Sequence, residues 1–537
     1  MPGFGAIMSF ETVNAVMGKR KINVNLTVTL ISLAVVMAFV AYMVLRPEAA
    51  LSSVNTAFHF ATQVFGVPLM LFTFVTTVLA VYLAFGKYGK IRLGNCKPEY
   101  STFSYIAMMA LAALASAALY WSFTEWAYYY MKPGLGIAPY STEAMEVALG
   151  YSFFHWGFAT QAPYVLTGVA IGYAVYNRGV RFMKVSSVCE YMMGDFKYKK
   201  LLGTLIDISV VFCIVGALGC TLGLAVPLGT GGLKQVFGIE TTFPVQVLVV
   251  LGIGLIFTVS AMLGTAKGMK VISDASTVVC LLFMLYIVLV GPTRFIVENF
   301  FSSLAWMGDK YLRMSFFTDP VAQTGFTEEW TTFFQAFCLT YTAMMGIFVA
   351  KISKGRTIRE VSLCCLGGVS IGVWVLFGVD GGFAMNAELS GTVSITEILG
   401  SGAGQDLVYG VIESLPGGTK ILPSAMMFII IGFVASSLDS ASFSLAQTTT
   451  LKLDESGEVS RPLRLFWCLV LTLVPLSIMF AKADFSALKS LAILVSIPFM
   501  FVVIYMEIVL FRWLREDLNR EPSNGGKRSE ETCLTVN

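Results

Sequence analysis

Three clusters of side chains in this sequence have the types and spacing to hold a cation. The first contains Tyr120, Trp121, Phe123, Glu125, Trp126, Tyr128, Tyr129 and Tyr130. The second is Tyr151-Ser-Phe-Phe-His-Trp-Gly157, continuing to Tyr164. The third carries Phe333, Phe334, Phe337, Tyr341, Met344 and Met345, of which Phe334, Phe337, Tyr341 and Met345 share one helical face. One aromatic stripe reads most simply as packing. Three of them on separate apolar segments, one beside the carboxylate of Glu125, point to a ligand. Aromatic faces attract a cation that has no hydrogen bonds to give, such as a quaternary ammonium, and each desolvated contact is worth up to about 2 kcal/mol. A carboxylate inside an apolar run is costly and faces a partner or an aqueous path.

A fourth cluster is made of hard oxygens. Phe433-Val-Ala-Ser-Ser-Leu-Asp-Ser-Ala-Ser442 places Ser436, Ser437 and Asp439 within apolar sequence. Such hydroxyls either join free carbonyls at a helix break around a small cation, or bond back to their own helix. The ten cysteines are scattered, without metal-ligand spacing, and His59 and His155 stand apart from any nucleophile or metal pattern. Neither a transition metal, a cofactor nor an enzymatic site is expected.

The elements that position these clusters follow from composition. Hydrophobic residues make up 56% and charged residues 13%, and the mean hydropathy is +0.75. A soluble chain of this length needs far more charge, whereas a bilayer-crossing helix needs roughly 20 apolar residues. Twelve such spans are expected, near 24–45, 60–85, 103–130, 147–176, 201–227, 243–266, 273–293, 330–352, 358–380, 422–448, 462–481 and 487–512. Residues 297–318 interleave Phe300, Leu304, Met307 and Tyr311 with Asp309, Lys310 and Arg313, as an amphipathic helix on a membrane surface does. Alternate loops collect the basic residues: Lys87, Lys90 and Arg92; Arg178, Arg181 and Lys184; Lys267 and Lys270; Lys351, Lys354 and Arg356. Those loops are cytoplasmic by the positive-inside rule, as then are both termini, and the first span is expected to stay as an anchor. The net charge of +3 gives no reason to expect a nucleic-acid partner.

Over nearly its whole length the chain resembles the betaine/carnitine/choline transporters. The words that carry the resemblance are Tyr151 to Gly157, Leu222-Gly-Leu-Ala-Val-Pro-Leu228, Phe317-Thr-Asp-Pro320 with Gly325, Phe326 and Trp330, and Lys351-Ile-Ser-Lys-Gly-Arg-Thr-Ile-Arg-Glu360. Glu99-Tyr-Ser-Thr-Phe-Ser104, and Glu125 with Tyr128 to Tyr130, look most like the carnitine/γ-butyrobetaine antiporter branch.

The resemblance implies an all-α inner-membrane fold of the LeuT type. Two inverted five-helix repeats, 103–296 and 321–513, would follow two peripheral helices, 24–102. A surface helix, 297–320, separates the repeats and joins a homotrimer, and cytoplasmic segments 1–23 and 514–537 flank the whole. It implies a small zwitterionic or cationic onium substrate held by Tyr128, Trp156, Tyr164, Phe337, Cys338, Tyr341 and Met345. In span eight the family has tryptophans where this chain has Gln335, Phe337 and Cys338. Sodium-coupled members carry paired hydroxyls matching Ser436 and Ser437, completed by Phe433 and by backbone near Leu111 and Leu114. Carnitine exchangers instead carry an arginine at the position of Ser276. The coupling residues therefore favour sodium symport and the overall words favour exchange; Glu125, Ser276 and Asp439 are the coupling candidates.

Overall fold

The computed structural model describes residues 24–114, 117–263, 270–401, 407–451, 459–480 and 485–520. The expected cytoplasmic segment 1–23 and residues 521–537 of the expected tail lie outside them. Among the described residues every regular element is helical, apart from two isolated bridges, Val24 with Thr450 and Arg92 with Thr357.

In chain order the principal helices are α1 (Leu26–Leu45), α2 (Pro47–Phe85), α3 (Thr102–Leu114), α4 (Ala117–Met131), α5 (Thr142–Trp156), α6 (Phe158–Arg178) and α7 (Val185–Met192). There follow α8 (Lys199–Phe237), α9 (Phe243–Leu263), α10 (Lys270–Val290) and α11 (Thr293–Phe316). The last are α12 (Thr327–Ile352) and α13 (Ile358–Leu389), which include π-helical turns, then α14 (Ile421–Thr449), α15 (Arg461–Phe480) and α16 (Phe485–Arg520). Each of the twelve expected intervals falls on one of these helices or helix pairs. By length and composition eight helices among the described residues can cross a membrane, and the bent pair α3–α4 makes nine. The chain is a multi-pass membrane protein.

Two of the expected spans are not single rods. The third is α3 and α4, whose axes differ by 64°. The fourth is interrupted at Gly157, where a Cβ would lie 2.5 Å from the Phe153 carbonyl and 2.7 Å from the Trp374 indole nitrogen. A helix end in an apolar interior must find other donors for its last carbonyls. Here Trp374 Nε1 donates to Phe153 O at 2.8 Å, the Thr160 hydroxyl donates to His155 O, and Gln161 Nε2 reaches Trp156 O at 3.5 Å. Three of the last four carbonyls thus find side-chain donors, and Trp156 is buried in the bundle.

The word Lys351 to Glu360 is a staple between loops. Gly355 N donates to Leu93 O at 2.7 Å, Leu93 N to Arg356 O at 2.8 Å, and Ile358 N to Ile91 O at 2.8 Å. Arg356 is buried, donates to Tyr100 O at 2.7 Å and lies 4.0 Å over the Tyr105 ring. Gly355 has φ +80, and a Cβ there would sit 2.6 Å from Lys97 O, so both conformation and space require glycine. Helix α11 covers the expected amphipathic stretch, burying Ile296, Met307 and Met314 and exposing Phe301 and Leu312.

Candidate functional site

Helices α4, α5 and α12 bring the aromatic clusters together in two linked groups. In the first, Tyr128 and Trp121 centroids are 5.8 Å apart, Trp121 and Trp330 5.9 Å, and Tyr128 and Trp330 5.2 Å, three mutually packed rings that form a closed box. In the second, Trp156 meets Phe334 at 5.3 Å and Phe377 at 5.4 Å. The near-parallel rings of Trp330 and Phe334, 6.3 Å apart, join the two. Below them on α12, Phe337 and Tyr341 are 5.2 Å apart, and Tyr341 is fixed through its hydroxyl to Thr221 of α8. Cys338 reaches the Thr160 hydroxyl at 3.2 Å, with Tyr164 against the same thiol, and Met345 is buried one turn beyond Tyr341.

Trp121 and Phe334, members of the aromatic clusters, and Trp330 and Phe377 complete these groups, although the resemblance implied none of the four as substrate-binding. Trp330 could have been found: it precedes Phe334 by four residues on one helical face. Trp121 precedes Tyr128 by seven, two turns away on α4. Phe377 comes from α13, and nothing local to it signals the contact.

Glu125 is fully buried and organises this region. Trp156 Nε1 donates to its Oε2 at 2.6 Å, and the Tyr129 hydroxyl donates to its Oε1 at 2.8 Å. Tyr129 Oη also lies 2.7 Å from His155 Nδ1, and His155 Nε2 lies 3.1 Å from the Thr331 hydroxyl. Tyr129 has one proton, given to the carboxylate, so one direction satisfies the chain: Thr331 donates to His155, His155 to Tyr129, Tyr129 to Glu125. The His155 ring stacks 5.0 Å from Phe334. A histidine that looks isolated in sequence is therefore one link between Glu125 and α12. Charge-assisted bonds of this kind fix the plane of the Trp156 indole.

The hydroxyl cluster divides between two neighbours. Ser437 Oγ lies 3.1 Å from Leu111 O, 3.4 Å from Ala112 O and 3.0 Å from Phe433 O, at the last described turn of α3. Leu114 is the final described residue of that helix. Ser436 turns elsewhere and pairs with Ser273 of α10 at 3.0 Å. Ser276, one turn further along α10, packs against Gly432 of α14. Asp439 is buried in an ion pair with Arg464 of α15 and accepts from Ser260 at 3.2 Å.

Arg464 was not singled out by sequence, and neither were two further buried carboxyl groups inside expected spans. Asp380 accepts from Ser122 at 2.9 Å, and Glu507 from Thr76 at 3.1 Å. An acid within an apolar run was the available signal for both.

A helical bundle with broken helices, aromatic clusters in its interior and a hydroxyl against backbone carbonyls defines a polytopic membrane protein among the described residues. Similarity to known proteins agrees. A carnitine transporter of Acinetobacter baumannii is 35% identical over 493 residues, 92% of this chain and 89% of that protein. The uncharacterized transporter YeaV of Escherichia coli K12 is 36% identical over 446 residues, 83% of this chain and 92% of that protein. A solved Na+-coupled sialic acid symporter aligns with 75% of this chain and 85% of its own at 14% identity, with a TM-score of 0.40, too low to define this fold. Residues 27–519 match the betaine/carnitine/choline family of transporters, and the chain belongs to that family.

Proposed function

We propose that the chain transports a small betaine-like quaternary ammonium or related methylated onium compound by alternating access, coupled to sodium. The observation that carries this reading is the pair of joined aromatic groups, Tyr128–Trp121–Trp330 and Trp156–Phe334–Phe377, with Glu125 bonded to the Trp156 indole. Rings hold a permanent cation without hydrogen bonds. Sodium would take the Ser437 hydroxyl oxygen as a ligand, the hydroxyl proton turning aside, together with the carbonyls of Leu111, Ala112 and Phe433. In this reading the chain makes twelve crossings as two inverted repeats, 103–296 and 321–513, after the helices of 24–102. Both termini are in the cytoplasm of an inner-membrane protein, and the 297–320 helix serves a homotrimer.

Sodium-independent exchange of the carnitine type is the second reading. One observation favours it: the Ser436 hydroxyl faces Ser273 instead of the carbonyls. Initial uptake of labelled glycine betaine and carnitine into proteoliposomes separates the readings. Symport requires uptake into unloaded vesicles under an inward sodium gradient. Exchange requires a preloaded onium compound and ignores sodium. Accumulation of neither compound under any of these conditions refutes both.

If sodium binds as described, Ser437→Ala removes one oxygen ligand. Loss of one such interaction costs on the order of 1.4 kcal/mol, about a tenfold rise in the half-saturating sodium concentration. Ser436→Ala should shift it less. Titration of uptake against sodium checks both, and equal shifts would put the ion elsewhere.

A further inference from the structure

At the C-terminal end of α4, Lys132 Nζ lies 2.8 Å from both carboxylate oxygens of Glu329, at the start of α12. The pair joins the two helices that carry the aromatic box. Lys132 N bonds to Tyr128 O, so its side chain leaves α4 one turn beyond the Tyr128 ring, and Glu329 immediately precedes Trp330. Tyr128 and Lys132 are four residues apart on one helical row, and both are only partly buried. The ion pair therefore adjoins the partly exposed ring of Tyr128.

The pair is poorly suited to be a bolt. Its side chains are 41% and 50% exposed, and ion pairs so wetted contribute little to stability. Opposite charges held loosely at the rim of an aromatic box have another use. A zwitterion carrying an onium and a carboxylate can take both partners at once, its carboxylate on Lys132 and its onium between Glu329 and the partly exposed ring of Tyr128. Each charge of the pair is then still matched, so insertion leaves no group unpaired. A simple cation cannot do this: it satisfies Glu329 and strands Lys132 beside a like charge.

We infer that Lys132 and Glu329 form a first binding station that admits zwitterions in preference to simple cations, exchanging their mutual pairing for the two charges of the substrate. The inference rests on the onium reading above and adds to it the requirement for a substrate carboxylate.

The test is equilibrium binding and initial-rate transport of carnitine, glycine betaine and choline by purified, reconstituted protein. Four forms are compared: wild type, Lys132→Ala, Glu329→Gln and the reversed pair Lys132→Glu with Glu329→Lys. Lys132→Ala should raise KM for carnitine and glycine betaine about tenfold with kcat little changed, and leave choline affinity (read as inhibition if choline is not carried) equal or improved. Glu329→Gln should weaken all three. The reversed pair restores an ion pair between the helices but sets a cation beside Trp330, so the zwitterion KM should stay high while the protein remains monodisperse. Equal losses for choline and the zwitterions in Lys132→Ala, or full recovery in the reversed pair, would show a structural staple and overturn the station. A wild type that binds none of the three compounds overturns the onium reading, and the station with it.

Discussion

Replacement of Trp156 by alanine is expected to weaken binding of carnitine or glycine betaine by about 2 kcal/mol, roughly thirtyfold. Two losses combine. The ring that meets Phe334 at 5.3 Å and Phe377 at 5.4 Å disappears, and Glu125 Oε2 loses the indole donor at 2.6 Å. Trp156→Phe separates them, because it keeps an aromatic face and removes only the N–H. If the face dominates, the phenylalanine form binds within a few-fold of wild type. If positioning through Glu125 dominates, it falls most of the way to alanine. Removing a buried indole also costs packing, typically about 3–5 kcal/mol in a protein core. Binding must therefore be read by isothermal titration on monodisperse protein, with thermal unfolding measured alongside. Wild-type affinity in folded Trp156→Ala would take this residue out of the site.

How much of this arrangement could be read from the sequence depends on the range of the interaction. The helices were legible because an apolar run in a bilayer must satisfy its backbone internally, which only a helix can do within one segment. Tyr128 and Trp156 were singled out among their aromatic neighbours by the family resemblance. The breaks were harder. Gly157 is one glycine among 49, and what marks it is Trp374, more than two hundred residues away, donating to the carbonyl it frees. The contacts of Trp330 with Tyr128 and of Phe377 with Trp156 depend on helices that meet only in the fold.

The serine pair shows a limit that helical geometry could have anticipated. Adjacent residues on an α-helix point about 100° apart, so Ser436 and Ser437 reach different neighbours: α10 for the first and the end of α3 for the second. Asp439 was visible as a costly carboxylate, but its cation, Arg464, comes from the next helix. Local pattern identifies a group that needs a partner; the fold decides which partner it gets.

The seam between α10 and α14 offers the sharpest test of the cation side. Gly432 faces Ser276 so closely that an added Cβ would lie 1.7 Å from the Ser276 Oγ and 2.5 Å from its Cβ. Rotating the hydroxyl away removes only the first overlap, so Gly432→Ala must push the helices apart. Overpacking of this kind costs typically 1–3 kcal/mol. The Ser273–Ser436 bond, 3.0 Å long, lies one turn further along the same seam and would stretch with it, carrying Ser437 away from Leu111 O. Gly432→Ala is therefore expected to lower the thermal midpoint of the detergent-solubilised protein and to blunt any sodium stimulation together. Ser276→Gly in the alanine background removes the opposing Cβ and should recover both, whereas Ser276→Ala should recover neither. An alanine at 432 that left stability and sodium response untouched would mean the seam is looser than described, and Ser276 would lose its claim to a place beside the coupling ion.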